Sequence, residues 1–289
     1  MKKIIPLFIF TLYAICVCAT DTVLHYDIID GNRVRVEGSS SNELDTIAIP
    51  DTIISNDSIY NVTAVTEYAF YEYFNLKSVI IGNNVVSIKQ AAFAECSNLE
   101  SVVMPNSMTE IGKAAFLKCS NLFSIDLPNG LTSIGYAAFA GSGLMTITIP
   151  NSVTSMGDYV FAECPNLQSV IISNRVTRIG VSAFAWCVTL LSVYVPNSVL
   201  SIEENAFRHC FNLTSITLPN GVQSIASNAF DGCDNLDTII SLAMTPPDVV
   251  DDTFSNYDAT LYVPRKALRA YKSHDVWGRF MKIKGVENK

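Results

Sequence analysis

The sequence has few of the residues that most often carry chemistry. Its 289 residues include three histidines, His25, His209 and His274, which stand far apart. Histidine is the commonest metal ligand and general base near neutral pH, so three separated copies offer little for either chemistry. Cations are also scarce, since 19 Lys and Arg face 27 Asp and Glu for a net charge of -8. Phosphate backbones are bound by clustered cations, which argues against nucleic acid as a partner.

A single long apolar run lies at the N-terminus and predicts a secretory signal peptide. Lys2 and Lys3 precede an apolar stretch from Ile4 to Ala19, which is shorter than the ~20 residues of a membrane-spanning helix. Cleavage after Ala19 would leave a mature chain that begins at Thr20. Since no second long apolar run follows, we expect an exported protein at the cell surface, outside the cell or in the periplasm, with no membrane-spanning segment in the mature chain.

Lipid anchoring is an open alternative at the same end of the chain. Cys16 or Cys18 could accept a lipid after cleavage. The residues directly before them are Ile15 and Val17, whereas a lipobox has Gly, Ala or Ser there. The sequence therefore favours cleavage without acylation.

A fixed period runs through the body of the chain, and such a period is typical of stacked repeats. Phenylalanine returns every 23 residues, with one step of 22. The dipeptide Ala-Phe fills seven of the eight regular sites, the exception being Val160-Phe161. In most repeats Cys follows three residues after Phe, and then Asn-Leu. The regular phenylalanines, and a last one after a step of 24, are Phe70, Phe93, Phe116, Phe139, Phe161, Phe184, Phe207, Phe230 and Phe254.

This period predicts a solenoid, because one unit of ~23 residues cannot bury its apolar face alone. The run from Leu122 to Leu127 alternates as a strand does, and its copies would pair as a parallel sheet. The stretch from Ile134 to Phe139 predicts a short strand and a helical turn on the other side. The short step of 22 falls in the corner that contains Gly141 and Gly143, where glycines permit a tighter turn.

These columns resemble the leucine-rich repeats of the BspA-like family of bacterial surface proteins. The shared motif, Leu-x-x-Ile-x-Leu-Pro-Asn-x-Val-x-x-Ile-x-x-x-Ala-Phe-x-x-Cys, covers residues 47–254, and the stretch from Thr245 to Phe280 is similar to the closing segment of members from Bacteroides-type bacteria. The resemblance implies an α/β repeat solenoid, a right-handed coil with a parallel sheet on one face. It also implies export, and several members of the family are adhesins that bind host matrix proteins or other bacteria.

We expect one continuous domain with a cap at each end, since atypical terminal units cover the apolar ends of a solenoid. The predicted divisions are a signal peptide (1–19), an N-terminal β-hairpin cap (20–46), about nine repeats (47–254) and a C-terminal strand and helix cap (255–289). The hairpin would turn at Asp30-Gly31-Asn32. At the other end, Trp277 and Phe280 would plug the last coil.

The cysteines of the repeats occupy one inward corner column, so we predict buried free thiols. Disulfides between stacked coils stay open as an alternative, because the coil spacing lies within the allowed range. His209 beside Cys210 has no partner at metal-ligand spacing, and no Ser stands beside a general base, so we expect no metal site, catalytic residue or cofactor.

The outward positions of the predicted sheet form the candidate binding surface. The third and fifth residues of each strand run should point outward, and so should the second. Over the middle repeats these positions hold several apolar side chains, and exposed apolar strips often mark interaction surfaces. The candidate ligand-binding residues are Phe123, Asp126, Met145, Thr148, Gln168, Ile171, Leu191 and Tyr194.

Three functions are compatible with this architecture. The leading one is a non-enzymatic binding or adhesion module, which we expect to be monomeric and to hold a host or bacterial surface protein or a glycan. The alternative is a structural or assembly component of the bacterial cell envelope. A glycan-acting enzyme needs paired carboxylates across a cleft, whereas Glu100 and Asp126 stand on adjacent coils.

Overall fold

The computed structural model describes residues 11–14 and 24–287, which form a stack of coils. The predicted signal peptide, residues 1–19, lies outside the described residues except for the strand β1 (Thr11–Ala14). That strand pairs antiparallel with β2 (Leu24–Asp30). Cleavage after Ala19 would remove it from the mature protein.

One side of the stack carries a parallel sheet, called sheet A here, built from the predicted strand runs. Each strand lies beside its counterpart in the next coil, one repeat away in sequence. Its strands are β4 (Thr46–Ile49), β7 (Ser78–Ile81), β9 (Ser101–Val103), β12 (Thr146–Thr148), β14 (Ser169–Ile171), β16 (Ser192–Tyr194), β18 (Ser215–Leu218), β20 (Thr238–Ser241), β22 (Thr260–Pro264) and β23 (Lys282–Val286).

A second parallel sheet, sheet B, runs along another side of the stack. Most of its strands have only two residues, a Ser or polar residue followed by the buried Ile of the repeat. They are β6 (Ser58–Val65), β8 (Ser87–Ile88), β10 (Glu110–Ile111), β11 (Ser133–Ile134), β13 (Ser155–Met156), β15 (Arg178–Ile179), β17 (Ser201–Ile202), β19 (Ser224–Ile225) and β21 (Asp248–Val249).

Neither sheet is continuous from end to end. Sheet B breaks between β13 and β15. Sheet A breaks between β16 and β18, and it also breaks at the coil between β9 and β12, where residues 124–127 form no strand. The solenoid is confirmed. The repeat pattern does not predict where its sheets are divided.

A column of stacked phenylalanine rings runs through the interior, surrounded by buried Leu, Ile, Val and Cys side chains. Neighbouring rings from Phe70 to Phe254 lie 5.2 to 5.7 Å apart between centroids, with interplanar angles of 4° to 13°. Each of these side chains is buried. Because every ring contacts the rings of the coils above and below, adjacent coils share their apolar burial, as the period of the sequence predicts.

The predicted helical turn before each phenylalanine is a series of tight turns instead of a helix. Every second backbone N–H donates to the next coil, as in the bonds from Phe93 to the Ala115 carbonyl at 2.9 Å and from Phe116 to the Ala138 carbonyl at 2.8 Å. The N–H groups between them close tight turns within the coil, as from Ala94 to the Ala91 carbonyl at 3.1 Å. Residues with positive φ recur here, such as Ala91 at 52° and Glu95 at 62°. Donors that point along the stack cannot close helical rings, so this third side of the coil is also hydrogen-bonded from one coil to the next.

The shortened corner depends on glycine, as predicted. Gly141 has a φ of +66°. A Cβ on Gly143 would lie 2.1 Å from the carbonyl oxygen of Ser120 in the preceding coil, so only glycine fits there. The close approach lets the Gly143 N–H donate to the Cys119 carbonyl at 3.1 Å, which keeps the shorter coil in the stack.

The N-terminal end is closed by the predicted hairpin. β2 pairs antiparallel with β3 (Arg33–Ser39), and β3 then pairs parallel with β6 of sheet B. A second hairpin lies in the first repeat, where β5 (Thr52–Ser55) pairs antiparallel with β6 around a turn at Asn56 and Asp57. Both tip residues have positive φ, 47° and 59°, as a two-residue hairpin turn requires.

The C-terminal end contains the helix α1 (Leu268–Lys272), flanked by 3-10 turns at Arg265–Ala267 and Trp277–Arg279. Trp277 and Phe280 are buried, and the Trp277 ring lies 5.2 Å from that of Phe254, so they plug the last coil as expected. The sequence prediction missed β23, which pairs parallel with β22 and adds one more strand to sheet A.

Candidate functional site

The outer surface of sheet A has an alternation that follows from strand geometry. In β9, β12 and β16 the central residue is buried and its two neighbours are exposed. Successive side chains of a strand point to opposite faces, so the buried residue packs on the phenylalanine column and the neighbours face solvent. The middle coils therefore present rows of side chains on an exposed face.

One row is set directly by strand register. Thr148 pairs with Ile171, and Ile171 pairs with Tyr194, as Cα partners in adjacent parallel strands. All three are exposed, Ile171 to 49% and Tyr194 to 60%. Parallel strands in register place identical positions side by side, so these side chains are neighbours along the stack.

A second row runs beside the first, just before the strands begin. Backbone bonds join its members: Met145 N–H donates to the Phe123 carbonyl at 3.0 Å, Gln168 to Met145 at 2.8 Å, and Leu191 to Gln168 at 2.9 Å. Phe123, Met145 and Leu191 are each about half exposed, at 47%, 45% and 50%. The two rows together, seven of the eight candidate residues, are called the sheet-face strip below.

The eighth candidate, Asp126, is also exposed but lies on the coil where sheet A is interrupted. Among the described residues, no backbone hydrogen bond involves the N–H or carbonyl of residues 124–127. We call this segment the interrupted rung. Its side chains alternate as in the other strands, with Ile125 buried, so its packing is regular although its ladder bonds are missing.

Two crevices flank the interrupted rung. The first, about 400 Å³, lies between it and β9; the second, about 270 Å³, lies between it and β12. Glu100 and Asp126 both line the first crevice, on adjacent coils as expected. Asp126 and Thr148 both line the second, which connects the rung to the sheet-face strip. Sequence reasoning missed these crevices, because the run at 124–127 has the same pattern as its neighbours.

The six cysteines of the repeats are free and buried, as predicted. Each thiol donates to the carbonyl of a phenylalanine in the preceding coil, as in Cys96 Sγ to Phe70 and Cys119 Sγ to Phe93, both at 3.1 Å. Burial raises the pKa of the Cys96 and Cys233 thiols to about 12. The thiol stays protonated below that pH, and the protonated form is a poor nucleophile.

This predicts a thiol count that distinguishes free cysteines from bridges. At pH 8 we expect the chain from Thr20 onward to show almost no reaction with a chromogenic disulfide reagent while folded, because all six thiols are buried. In denaturant without reductant it should release six equivalents, one for each buried free thiol. A count of four or two in denaturant would instead show disulfides between coils.

His274 and His209 both make structural contacts. His274 Nδ1 accepts from the backbone N–H groups of Val276 and Trp277, at 3.2 and 3.4 Å. The His209 ring lies against that of Trp186, tilted by 44°, with ring centroids 4.1 Å apart. Over residues 11–14 and 24–287, no group of three or more His, Cys, Asp or Glu side chains is arranged to hold a metal ion.

A half-exposed aromatic cluster at the corner was not predicted. Trp186 and His209 are consecutive members of the column that directly precedes the corner cysteines, each with positive φ, and Phe211 packs against both rings. A Cβ at position 232 would meet His209 Nδ1 at 2.2 Å, so Gly232 leaves the space that the histidine ring fills. The cluster lies outside the sheet-face strip, and its signal in the sequence is the bulky pair in a column of otherwise small or charged residues.

Within the described part of the chain, none of the helices has the length and hydropathy required to traverse a lipid bilayer. Comparison with curated proteins found no match.

Solved structures with the same fold come from several bacteria. A leucine-rich repeat protein from Bacteroides ovatus is 24% identical over 86% of this chain and 78% of its own, with a TM-score of 0.64. The leucine-rich repeat protein of T. pallidum is 24% identical over 73% of this chain and 91% of its own, with a TM-score of 0.60. One from Eubacterium ventriosum is 17% identical over 95% and 84%, with a TM-score of 0.50.

The family comparison covers most of the chain. The BspA type leucine-rich repeat region, in six copies, matches residues 45–168 and 154–259. These ranges contain the phenylalanine column, the corner cysteines and both rows of the sheet-face strip. On this match and on the stacked coils that the structure shows, the chain belongs to the BspA-type leucine-rich repeat family.

Proposed function

We propose that this protein is an exported, non-enzymatic binding module of the bacterial cell surface, and that the sheet-face strip holds a protein or glycan partner. The observation that carries the proposal is the strip itself. Ile171 and Tyr194 in one row, and Phe123, Met145 and Leu191 in the other, are apolar side chains left about half exposed on adjacent coils. Contiguous exposed apolar surface that contains aromatic residues is typical of interaction sites.

The support for a binding role also comes from how the strip is held. One row, Thr148, Ile171 and Tyr194, stands on β12, β14 and β16, which are paired in register and packed on buried residues such as Val170. The other row lies outside the strands and is joined along the stack by backbone hydrogen bonds. A surface built on a hydrogen-bonded sheet loses little conformational entropy when a partner docks, which favours affinity. Export rests on the predicted signal peptide, and the surface location rests on the family resemblance.

The proposal predicts that a triple substitution in the sheet-face strip weakens binding of the partner. Phe123→Ser, Leu191→Ser and Tyr194→Ser together remove the three largest exposed side chains without touching the interior. We expect binding to the partner found on an array of extracellular-matrix proteins and glycans to weaken by at least about 30-fold, the equivalent of one hot spot of about 2 kcal/mol. Circular dichroism should be unchanged, because all three side chains are about half exposed or more.

The matched control removes three apolar side chains beside sheet B: Val86→Ser, Tyr136→Ser and Leu200→Ser. Their exposed fractions are similar, 41%, 44% and 42%, so the loss of apolar surface is comparable. Retained binding in this control and lost binding in the first variant support the strip. Equal binding by wild type and the strip variant would contradict it. Wild-type binding confined to the bacterium's own envelope fraction would favour a structural role in the envelope.

A further inference from the structure

The interrupted rung leaves hydrogen-bonding groups unsatisfied in the middle of a sheet. A strand inside a parallel sheet bonds to both neighbours, as β14 does with β12 and β16. Residues 124–127 do so with neither. Backbone N–H and carbonyl groups are strong donors and acceptors, and native proteins almost always satisfy them with protein, water or ligand. The rung therefore presents both kinds of group to whatever enters the two crevices.

The spacing between neighbouring coils decides which kind of ligand can enter the two crevices. On the corner side of the rung, Asn121 N–H donates to the Ser97 carbonyl at 3.2 Å, and Met145 N–H donates to the Phe123 carbonyl at 3.0 Å. These bonds hold the three coils at ordinary stacking distance. An added peptide strand would need a further ~4.8 Å of separation between two coils, so strand insertion is disfavoured. Single hydroxyl groups can reach the unpaired backbone without separating the coils.

The side chains around the rung have the chemistry that binds hydroxyl groups. The crevice beside β9 is lined by the carboxylates of Glu100 and Asp126 and by Ser101 and Ser124. The crevice beside β12 adds the hydroxyls of Thr146 and Thr148. A sugar hydroxyl both donates and accepts, so it matches unpaired N–H and carbonyl groups together, and its bonds to carboxylates are the stronger, charge-assisted kind.

An apolar surface adjoins these polar groups. Phe123 directly precedes the rung and is 47% exposed, and Met145 stands beside it on the next coil. A pyranose ring has an apolar face of C–H groups that an aromatic side chain can cover while its hydroxyls bond elsewhere. Two carboxylates at the crevice repel an anionic ligand, which selects for a neutral one.

From this geometry we propose that the interrupted rung is a binding site for a neutral saccharide, whose hydroxyl groups bond to the backbone of residues 124–127 and to the carboxylates of Asp126 and Glu100. The inference rests on the proposed function, because it names the class of partner that this region of the sheet face recognises. Phe123 is the residue that the saccharide site and the sheet-face strip have in common.

The test uses a panel of neutral gluco-, manno-, galacto- and xylo-oligosaccharides, together with sialylated and sulfated glycans as the anionic arm. Titration into the ¹⁵N-labelled protein from Thr20 onward should shift the backbone amides of residues 124–127 for at least one neutral saccharide. Asp126→Asn keeps the shape of the side chain but loses the charge, so we expect its affinity for that saccharide to fall about tenfold. Glu100→Gln should act in the same direction.

The control is Asp237→Asn, which removes an exposed carboxylate from a coil whose strand is fully paired. It should bind the saccharide as wild type does. Preference for anionic glycans, amide shifts confined to other coils, or equal loss in both Asn variants would overturn the inference. If the array partner is a protein whose binding is lost in the strip variant, and no neutral saccharide shifts the amides of residues 124–127, the proposed function stands and the saccharide site does not. If the array partner is a neutral saccharide, binding lost in Asp126→Asn but kept in Leu191→Ser and Tyr194→Ser supports the site and contradicts the strip.

Discussion

Replacing Phe139 by alanine is expected to lower the free energy of unfolding by about 3–5 kcal/mol, the usual cost of removing a fully buried phenylalanine. The ring is buried and stacked between Phe116 and Phe161, with centroid distances of 5.4 and 5.7 Å. Its removal leaves a cavity shared by three coils, so the loss falls on the interfaces on both sides. Urea denaturation followed by far-UV circular dichroism measures the effect.

The matched control is Phe123→Ala, which makes the same substitution at an exposed phenylalanine. Phe123 is 47% exposed and directly precedes the interrupted rung, so its loss should cost less than about 1 kcal/mol. A similar shift for both variants would mean that the phenylalanine column is not the shared interior of the stack.

The 23-residue period of the sequence was enough to predict the stacked coils, because it shows which positions are buried. A residue that returns every 23 positions with the same neighbours must have the same environment in every coil, and the interior phenylalanines do. The same reasoning placed the sheet-face strip, since alternation along the run from Leu122 to Leu127 fixes which side chains face outward. All eight candidate residues are exposed, although what they bind is a proposal.

Hydrogen-bond geometry could not be predicted in the same way. The run Ser124-Ile125-Asp126-Leu127 has the same alternation as Ser169-Val170-Ile171-Ile172, yet the first is unpaired and the second contains β14. Pairing depends on shifts of a few tenths of an ångström between coils, which hydrophobic pattern does not encode. The turns before each phenylalanine could not be predicted either, because every second backbone N–H in them donates to the next coil and not within a helix.

The missed strand β23 has a different cause. Its sequence, Lys282-Ile283-Lys284-Gly285-Val286, is short, charged and lacks the repeat motif. It pairs because β22 would otherwise expose an edge, and lysines are common on edge strands, where they discourage further pairing. The strand forms because the neighbouring coil has an edge to cover, so the sequence of β23 alone does not predict it.

The second large effect is expected in amide hydrogen exchange at the interrupted rung. The amides of residues 124–127 have no acceptor in the structure, so nothing but burial slows their exchange. The amides of Ser169–Ile171 lie in a strand paired on both sides and exchange only when the coils separate. We expect exchange at the rung to be at least about a thousandfold faster, because local opening spans the range from almost no cost to the full unfolding free energy.

The coils stack through backbone ladders around the phenylalanine column, and residues 124–127, between β9 and β12, have no ladder partner in either neighbouring coil. A residue-resolved hydrogen-exchange map of the chain from Thr20 onward tests this most directly. We expect protected amides at the stacked phenylalanines from Phe70 to Phe230, each of which donates its N–H to the following coil, in step with the 23-residue period of the sequence, and fast exchange at residues 124–127. Slow exchange at residues 124–127, or protection that ignores the period, would contradict it.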